Sequence, residues 1–168
     1  MNIRCETQSD YQAIAEVNLQ AFGQENEARL VEAIRNSSRY IPELSLVADL
    51  NGVVVGHVLW SYIDLVGEET FQVLGLAPLA VLPQMQRQGI GSALVRAGLA
   101  RAEAMGEAIA IVLGHSHFYS RFGFVPSVGY GIEASFQVPE DAFMVKPLKH
   151  NHDRYRGKVV YPPAFQGV

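Results

Sequence analysis

Apolar and polar positions change their period repeatedly along the chain. Residues 1–5 read as a short strand. Ile14, Val17, Leu19 and Phe22 then fall mostly on one side of a helix that Asp10 is placed to cap. Leu30, Val31 and Ile34 repeat at helical spacing in a second amphipathic piece over about 27–35. After Pro42 the texture becomes that of strands. LSLVADL and VVVGHVLWSYIDL are rich in β-branched and aromatic residues, and the Asn51-Gly52 pair between them predicts a hairpin. A turn at Val66-Gly67-Glu68-Glu69 leads to a third strand, FQVLGLAPLAVLP. Pro78 within it cannot donate to a ladder and so predicts an edge or a bulge.

From Gly89 the helical period returns. Ile90, Ala93, Leu94, Ala97, Ala100 and Ala104 line one face, and Gly106 is a stop signal. Residues 108–114, AIAIVLG, form the continuous apolar run of a strand covered on both faces. A short helix is expected over 116–121. Weaker strands follow near 131–138, 143–147 and 158–161, with a Pro-containing tail to Val168. The order β-α-α-β-β-β-α-β-α-β is a mixed α/β layout. No repeat, low-complexity tract or linker interrupts it.

Composition narrows this picture. A chain of 168 residues with 49% hydrophobic content can bury a proper core, and one domain over 1–168 is expected. A net charge of -4 lacks the basic face that a nucleic-acid partner would need. Cys5 is the only cysteine, which excludes an internal disulfide, suits a reducing compartment and reads as a small buried apolar residue. MNIRCETQSD has no signal-peptide core, and no apolar run approaches the length of a membrane span. A soluble, cytoplasmic domain with no membrane partner is expected.

Candidate chemistry begins at PQMQRQGIGSALV, residues 83–95, where glycines stand directly before a helix. Gly89 and Gly91 lack a Cβ, so a phosphate can approach the first N–H groups of that helix, which have no intrahelical partner and lie at the positive end of its dipole. Arg87 adds a charge-assisted contact. A P-loop would need a Lys after the glycines, and a dinucleotide fingerprint would need a third glycine where Leu94 stands. A pyrophosphate cradle and a tight turn without ligand both fit the motif taken alone.

PLAVLPQMQRQGIGSALV resembles motif A of the GNAT superfamily of acyl-CoA-dependent N-acyltransferases, Q/R-x-x-G-x-G/A, with Gln86, Gly89 and Gly91 in register. Tyr119-Ser-Arg-Phe-Gly-Phe124 is similar to the family's Y-x-x-x-G-F element, and EARLVEAIR, VLGHSHFYSRFGF and VYPPAF look closest to its YhbS-like branch. The resemblance implies an α/β GNAT fold: a mostly antiparallel central sheet with a splayed strand pair, flanked by helices. It implies acetyl-CoA as co-substrate. Gln86, Arg87, Gln88, Gly89, Ile90, Gly91 and Ser92 would then hold the pyrophosphate. Leu79, Ala80 and Val81 would offer backbone to the pantetheine arm, with the N–H of Val81 or a neighbour as oxyanion donor.

The implied reaction is direct attack of a primary amine on the thioester, with Tyr119 as general acid for the leaving thiolate. Packing beside Phe118 and Phe122 is the plainer role for that tyrosine. His115 and His117 flank the same segment, as proton relay or, for His117, as a contact to the cofactor. Glu25, Glu27 and Asp64 are the carboxylates considered as base, each equally explained as a helix-start or turn residue. Trp60 and Tyr62 are expected to pack, with one of them a candidate lining for the acceptor pocket. His115-x-His117 and His150-x-His152 lack a carboxylate or Cys at ligand spacing, so no metal is expected. Two other functions use the same motifs: a non-catalytic acyl-CoA-binding or sensing module, and an acyltransferase fed by an acyl-carrier protein. The apolar C-terminal strands and aromatic tail fit either a homodimer seam or a completed core.

Overall fold

The computed structural model describes residues 1–166; the last two residues of the predicted tail lie outside them. Backbone contacts divide the chain into two units. The first comprises Met1–Ser61, Ala77–Arg101 and the C-terminal stretch from Pro163; the second comprises Tyr62–Leu76 and Ala102–Pro162.

In the first unit β1 (Asn2–Cys5) runs antiparallel to β2 (Tyr40–Leu50), which runs antiparallel to β3 (Val53–Val66) up to Ser61. The β2–β3 turn is the predicted one. Asn51 and Gly52 both take positive φ, 53° and 87°, the twist a two-residue hairpin requires. Helices α1 (Tyr11–Phe22) and α2 (Asn26–Arg35) cover one face of these strands. Ile14, Val17, Leu30, Val31 and Ile34 pack there with Val47, Leu59 and Ala80. Helix α3 (Ile90–Ala104) covers the other face, where Ile90 and Leu94 close on Gly56 and the Trp60 indole lies on Gly98. Coverage on both faces explains why β3 is buried without alternation from Val54 to Ser61.

Two expectations change here. Asp10 occupies the N-cap of α1 but makes no cap bond; its carboxylate accepts from the Thr7 N–H at 2.7 Å and pairs with the Arg4 guanidinium. Cys5 is half-exposed rather than buried, with Sγ 2.8 Å from Nη1 of Arg101. In the tail, as the completed-core alternative has it, a short 3-10 turn, Pro163–Phe165, packs Ala164 and Phe165 against the α1–α2 cluster.

In the second unit the opening of β4 (Thr70–Val81) pairs parallel with β5 (Ile109–Leu113) at Leu74↔Ala110 and Gly75↔Ile111. β5 is antiparallel to a strand at Phe143–Pro147, which also pairs with a two-residue strand at Val125–Pro126. The end of β3 pairs with Gly157–Val160, itself parallel to Ile132–Glu133. The strand expected over 131–138 is thus two residues long, and the Val125–Pro126 strand has no sequence signal. β5 is buried at Ile109–Val112, as a doubly covered strand should be, but Leu113 at its end is exposed.

Candidate active site

The glycine element sits where β4 hands over to α3, within the first unit. Leu82 donates its N–H to Val55 O at 2.9 Å, closing the strand, and a 3-10 turn at Pro83–Met85 leads away from it. The Gln86 side chain then turns back, its Nε2 donating to Val81 O at 3.0 Å. Arg87 adopts φ 62° and Gly89 φ 85°. For Arg87 this left-handed conformation costs about 1–2 kcal/mol, the kind of strain that persists where surrounding structure imposes it. Gly89 O accepts from the Ala93 N–H at 3.0 Å, the first bond of α3, so the amides of Ile90, Gly91 and Ser92 lie ahead of any intrahelical acceptor.

Space and charge at this turn suit a phosphate. A Cβ built on Gly89 meets nothing within 4 Å. Residues 86–89 are exposed, whereas Ile90 is buried against Gly56 and fixes the helix start. Arg87 makes no ion pair among the described residues. Along β4, Ala80 is buried while Leu79 and Val81 are half-buried. The structure therefore gathers all ten residues expected from Leu79 to Ser92 into one strand-turn-helix.

His117 and Tyr119 belong to the second unit, on α4 (Ser116–Tyr119) after β5. His115 precedes that helix, and its carbonyl accepts from the N–H groups of Phe118 at 3.0 Å and Tyr119 at 3.1 Å. Both histidine side chains are exposed, while Tyr119 is buried. Its ring stands edge-on to Phe118 and Phe124 and lies on Gly114. Burial raises the phenol pKa above its ordinary value, so the hydroxyl keeps its proton at neutral pH. That hydroxyl has no hydrogen-bond partner among the described residues.

The carboxylates considered as base are otherwise engaged. Glu25 forms a surface ion pair with Arg29 at 2.5 Å, and Glu27 accepts from Gln24 at 3.1 Å, both in contact with solvent. Asp64 lies opposite Val160, where the end of β3 pairs with the strand at Gly157–Val160. Trp60 is fully buried, and the Tyr62 hydroxyl donates to Glu107 at 2.5 Å. Among the described residues no three His, Cys, Asp or Glu side chains converge on a metal-sized site. No helix among them is long and apolar enough to cross a membrane.

A charged cluster in the first unit escaped the sequence reading. The Glu6 carboxylate, 1% exposed, accepts from Nε and Nη2 of Arg35 at 2.8 and 3.0 Å, from the Tyr40 hydroxyl at 2.6 Å and from Ser45 Oγ at 2.6 Å. Ser45 Oγ is also 3.1 Å from Nε2 of the wholly buried His57. The single proton of Ser45 goes to Glu6, so His57 must donate through Nε2, which leaves its buried Nδ1 without a partner. Burial would raise the Glu6 pKa, but His57, Arg35, Ser45 and Tyr40 outweigh it and hold the carboxyl well below its ordinary range. Burial lowers the His57 pKa against the opposing pull of Glu6, keeping the imidazole neutral. The available signal was a Ser and a His inside otherwise apolar strand runs.

Similarity to known proteins follows the same lines. Residues 2–127 match the family described as Acetyltransferase (GNAT) domain. The chain is 39% identical to Uncharacterized N-acetyltransferase YjhQ of Escherichia coli over 79% of this chain and 75% of that protein. It is 36% identical to Uncharacterized N-acetyltransferase YhbS of Escherichia coli over 88% and 87%. The crystal structure of YhbS in complex with CoA superposes with a TM-score of 0.89 at 32% identity, covering 98% of this chain and 91% of that one. A GNAT family acetyltransferase from Brucella melitensis in complex with acetyl-CoA gives a TM-score of 0.80 at 30% identity, covering 98% and 97%.

Proposed function

The chain belongs to the GNAT family of acetyltransferases, and on that premise we propose that residues 1–168 act as one N-acetyltransferase domain, moving an acetyl group from acetyl-CoA to a primary amine by direct attack in a ternary complex. The observation that carries the reading is the open turn at Arg87 and Gly89 ahead of three unpaired helix amides. YhbS and the Brucella protein, similar along nearly the whole chain, are seen with CoA and acetyl-CoA.

In this reading the amides of Gly89, Ile90, Gly91 and Ser92 hold the pyrophosphate, with Arg87 and Gln88 beside them. Gln86 contributes by bracing Val81. The half-buried backbone of Leu79 and Val81 takes the pantetheine amides, and the Val81 N–H faces the developing oxyanion. His117 is assigned to the cofactor's rim. An alkylamine with a pKa of about 10 must lose a proton before it attacks, and water carries that proton away. As the C–S bond breaks, Tyr119 gives its phenolic proton to the leaving sulfur. Its raised pKa keeps the phenol protonated at neutral pH, as a proton donor must be. The same reading sets the enzyme in the cytoplasm and uses no metal.

The test is Tyr119→Phe. Turnover should fall about 100-fold, the lower end of what a general acid contributes, with the KM for acetyl-CoA nearly unchanged. Unaltered turnover would remove Tyr119 from the chemistry. Acetyl-CoA binding without CoA release across a broad amine panel would reassign the domain to sensing.

A further inference from the structure

A concavity lies between α1 and α2, and the proposed acetyl transfer does not use it. It is a half-open depression of about 410 Å³, a volume within the range of small-molecule sites. It is built from the first half of α1 and from α2 between Ala28 and its C-cap Asn36. Its apolar floor comes from Ile14, Ala15, Ala28 and Val31.

One wall is the Arg35 guanidinium, held 3.7 Å from the Tyr11 ring centroid. The two bonds to Glu6 occupy Nε and one N–H of Nη2, and fix the fork in place. Nη1 has no acceptor among the described residues, although the side chain is only 11% exposed. At the rim stands Glu32, one turn before Arg35 on α2, whose carboxylate is likewise unpaired among the described residues. A rigid donor, an apolar floor and a separate anion thus converge on one space.

Charge selects the ligand. Glu6 neutralises Arg35, so Nη1 suits a neutral carbonyl oxygen better than a second anion, and Glu32 leaves the cavity net negative. We propose that this cavity binds an α-ammonium group joined to an amide carbonyl and an aliphatic side chain. The ammonium meets Glu32, the carbonyl meets Nη1 of Arg35, and the side chain rests between Ala15 and Ala28. Free amino-acid amides and the amino terminus of a polypeptide share this chemistry. No residue of the glycine turn lines the cavity, so the proposal stands independently of the acetyl-transfer reading.

The experiment titrates the full chain with leucinamide, Leu-Gly-Gly-amide and N-acetylleucinamide, read by calorimetry and by amide chemical shifts. Leucinamide should bind saturably, and N-acetylleucinamide, which lacks the ammonium, at least tenfold more weakly. Glu32→Gln should weaken leucinamide at least fivefold. Ala15→Phe, at an exposed position of α1, should abolish binding while leaving the thermal midpoint and acetyl-CoA binding in place; Ala28→Phe gives the same readout from α2. Equal binding of the tripeptide assigns the site to polypeptide termini, and its exclusion assigns it to free amides. Absence of saturable binding by both amines, or binding indifferent to both Phe substitutions, overturns the proposal.

Discussion

The ring of Tyr119 rests on the α carbon of Gly114, so closely that a methyl group built there would meet Cε2 at 2.7 Å. Gly114 directly follows β5, and its N–H is held by Ala142 O at 2.9 Å, so the backbone cannot readily retreat. The ring is confined on its other sides by Phe118 and Phe124. Gly114→Ala must therefore turn or push the phenol. If Tyr119 is the proton donor, this substitution should lower kcat at least tenfold without touching the hydroxyl itself, and leave the KM for acetyl-CoA within about twofold. Steady-state kinetics beside Tyr119→Phe check it: the double variant should be no slower than Tyr119→Phe alone.

The glycine turn offers a different separation, between backbone shape and charge. Arg87 holds φ 62°, so Arg87→Gly relieves the left-handed strain while loosening the unfolded chain, and the net stability change should stay within about 1 kcal/mol. The guanidinium is nevertheless lost. The KM for acetyl-CoA should rise several-fold at low salt, and the difference from wild type should shrink as salt screens the contact. Gly89→Ala acts through shape, because its added methyl group projects into the open approach to the helix amides at φ 85°. Its KM increase should persist at high salt.

Trp60 and Gly98 form a close helix-on-sheet contact in the first unit. A Cβ at 98 would fall 2.1 Å from the indole Nε1. Gly98→Ala gains up to about 1 kcal/mol of helix propensity, but overpacking of a wholly buried Trp costs roughly 1–3 kcal/mol, and the clash wins. The chain has a single Trp, so its fluorescence reports the site directly. The variant should show a red-shifted emission and a lower denaturation midpoint.

How much of this was legible beforehand depends on the range of the interaction. Asn51-Gly52, Gly106 and the turn at Gly89 were readable because positive φ is a local demand that a glycine or asparagine meets within its own turn. The run from Ile90 to Ala104 was readable from its period. Cys5 was misjudged because its partner, Arg101, comes from another element far along the chain. Asp10 was misjudged because Arg4, on the strand before it, competes successfully for the carboxylate. In the C-terminal third, Phe143–Pro147 and Gly157–Val160 were readable as strands, whereas Val125–Pro126 and Ile132–Glu133 are two residues long, too short for a period to register. Glu6, Arg35, Tyr40, Ser45 and His57 come from a loop, a helix end and two strands, so nothing in the linear order announces them.

That cluster sets the response to acid. His57 is neutral when folded, with its pKa lowered by burial, whereas in the unfolded chain it titrates near 6.5. Glu6 is likewise held below its unfolded value, by His57, Arg35, Ser45 and Tyr40 against the effect of burial. For both groups the unfolded chain binds protons first as the pH falls, so their stabilisation is fully present above the unfolded pKa and is lost below it. Stability should therefore be flat above about pH 7, decline as His57 titrates in the unfolded state near pH 6.5, and decline again through the carboxylate range near pH 4. His57→Gln removes the titrating ring while leaving an amide near Ser45. It should cost stability at pH 8, where the packing of the imidazole is lost, but flatten the decline between pH 7 and pH 5. Urea denaturation across that range measures both slopes; equal slopes for wild type and variant would place the pH sensitivity outside the cluster.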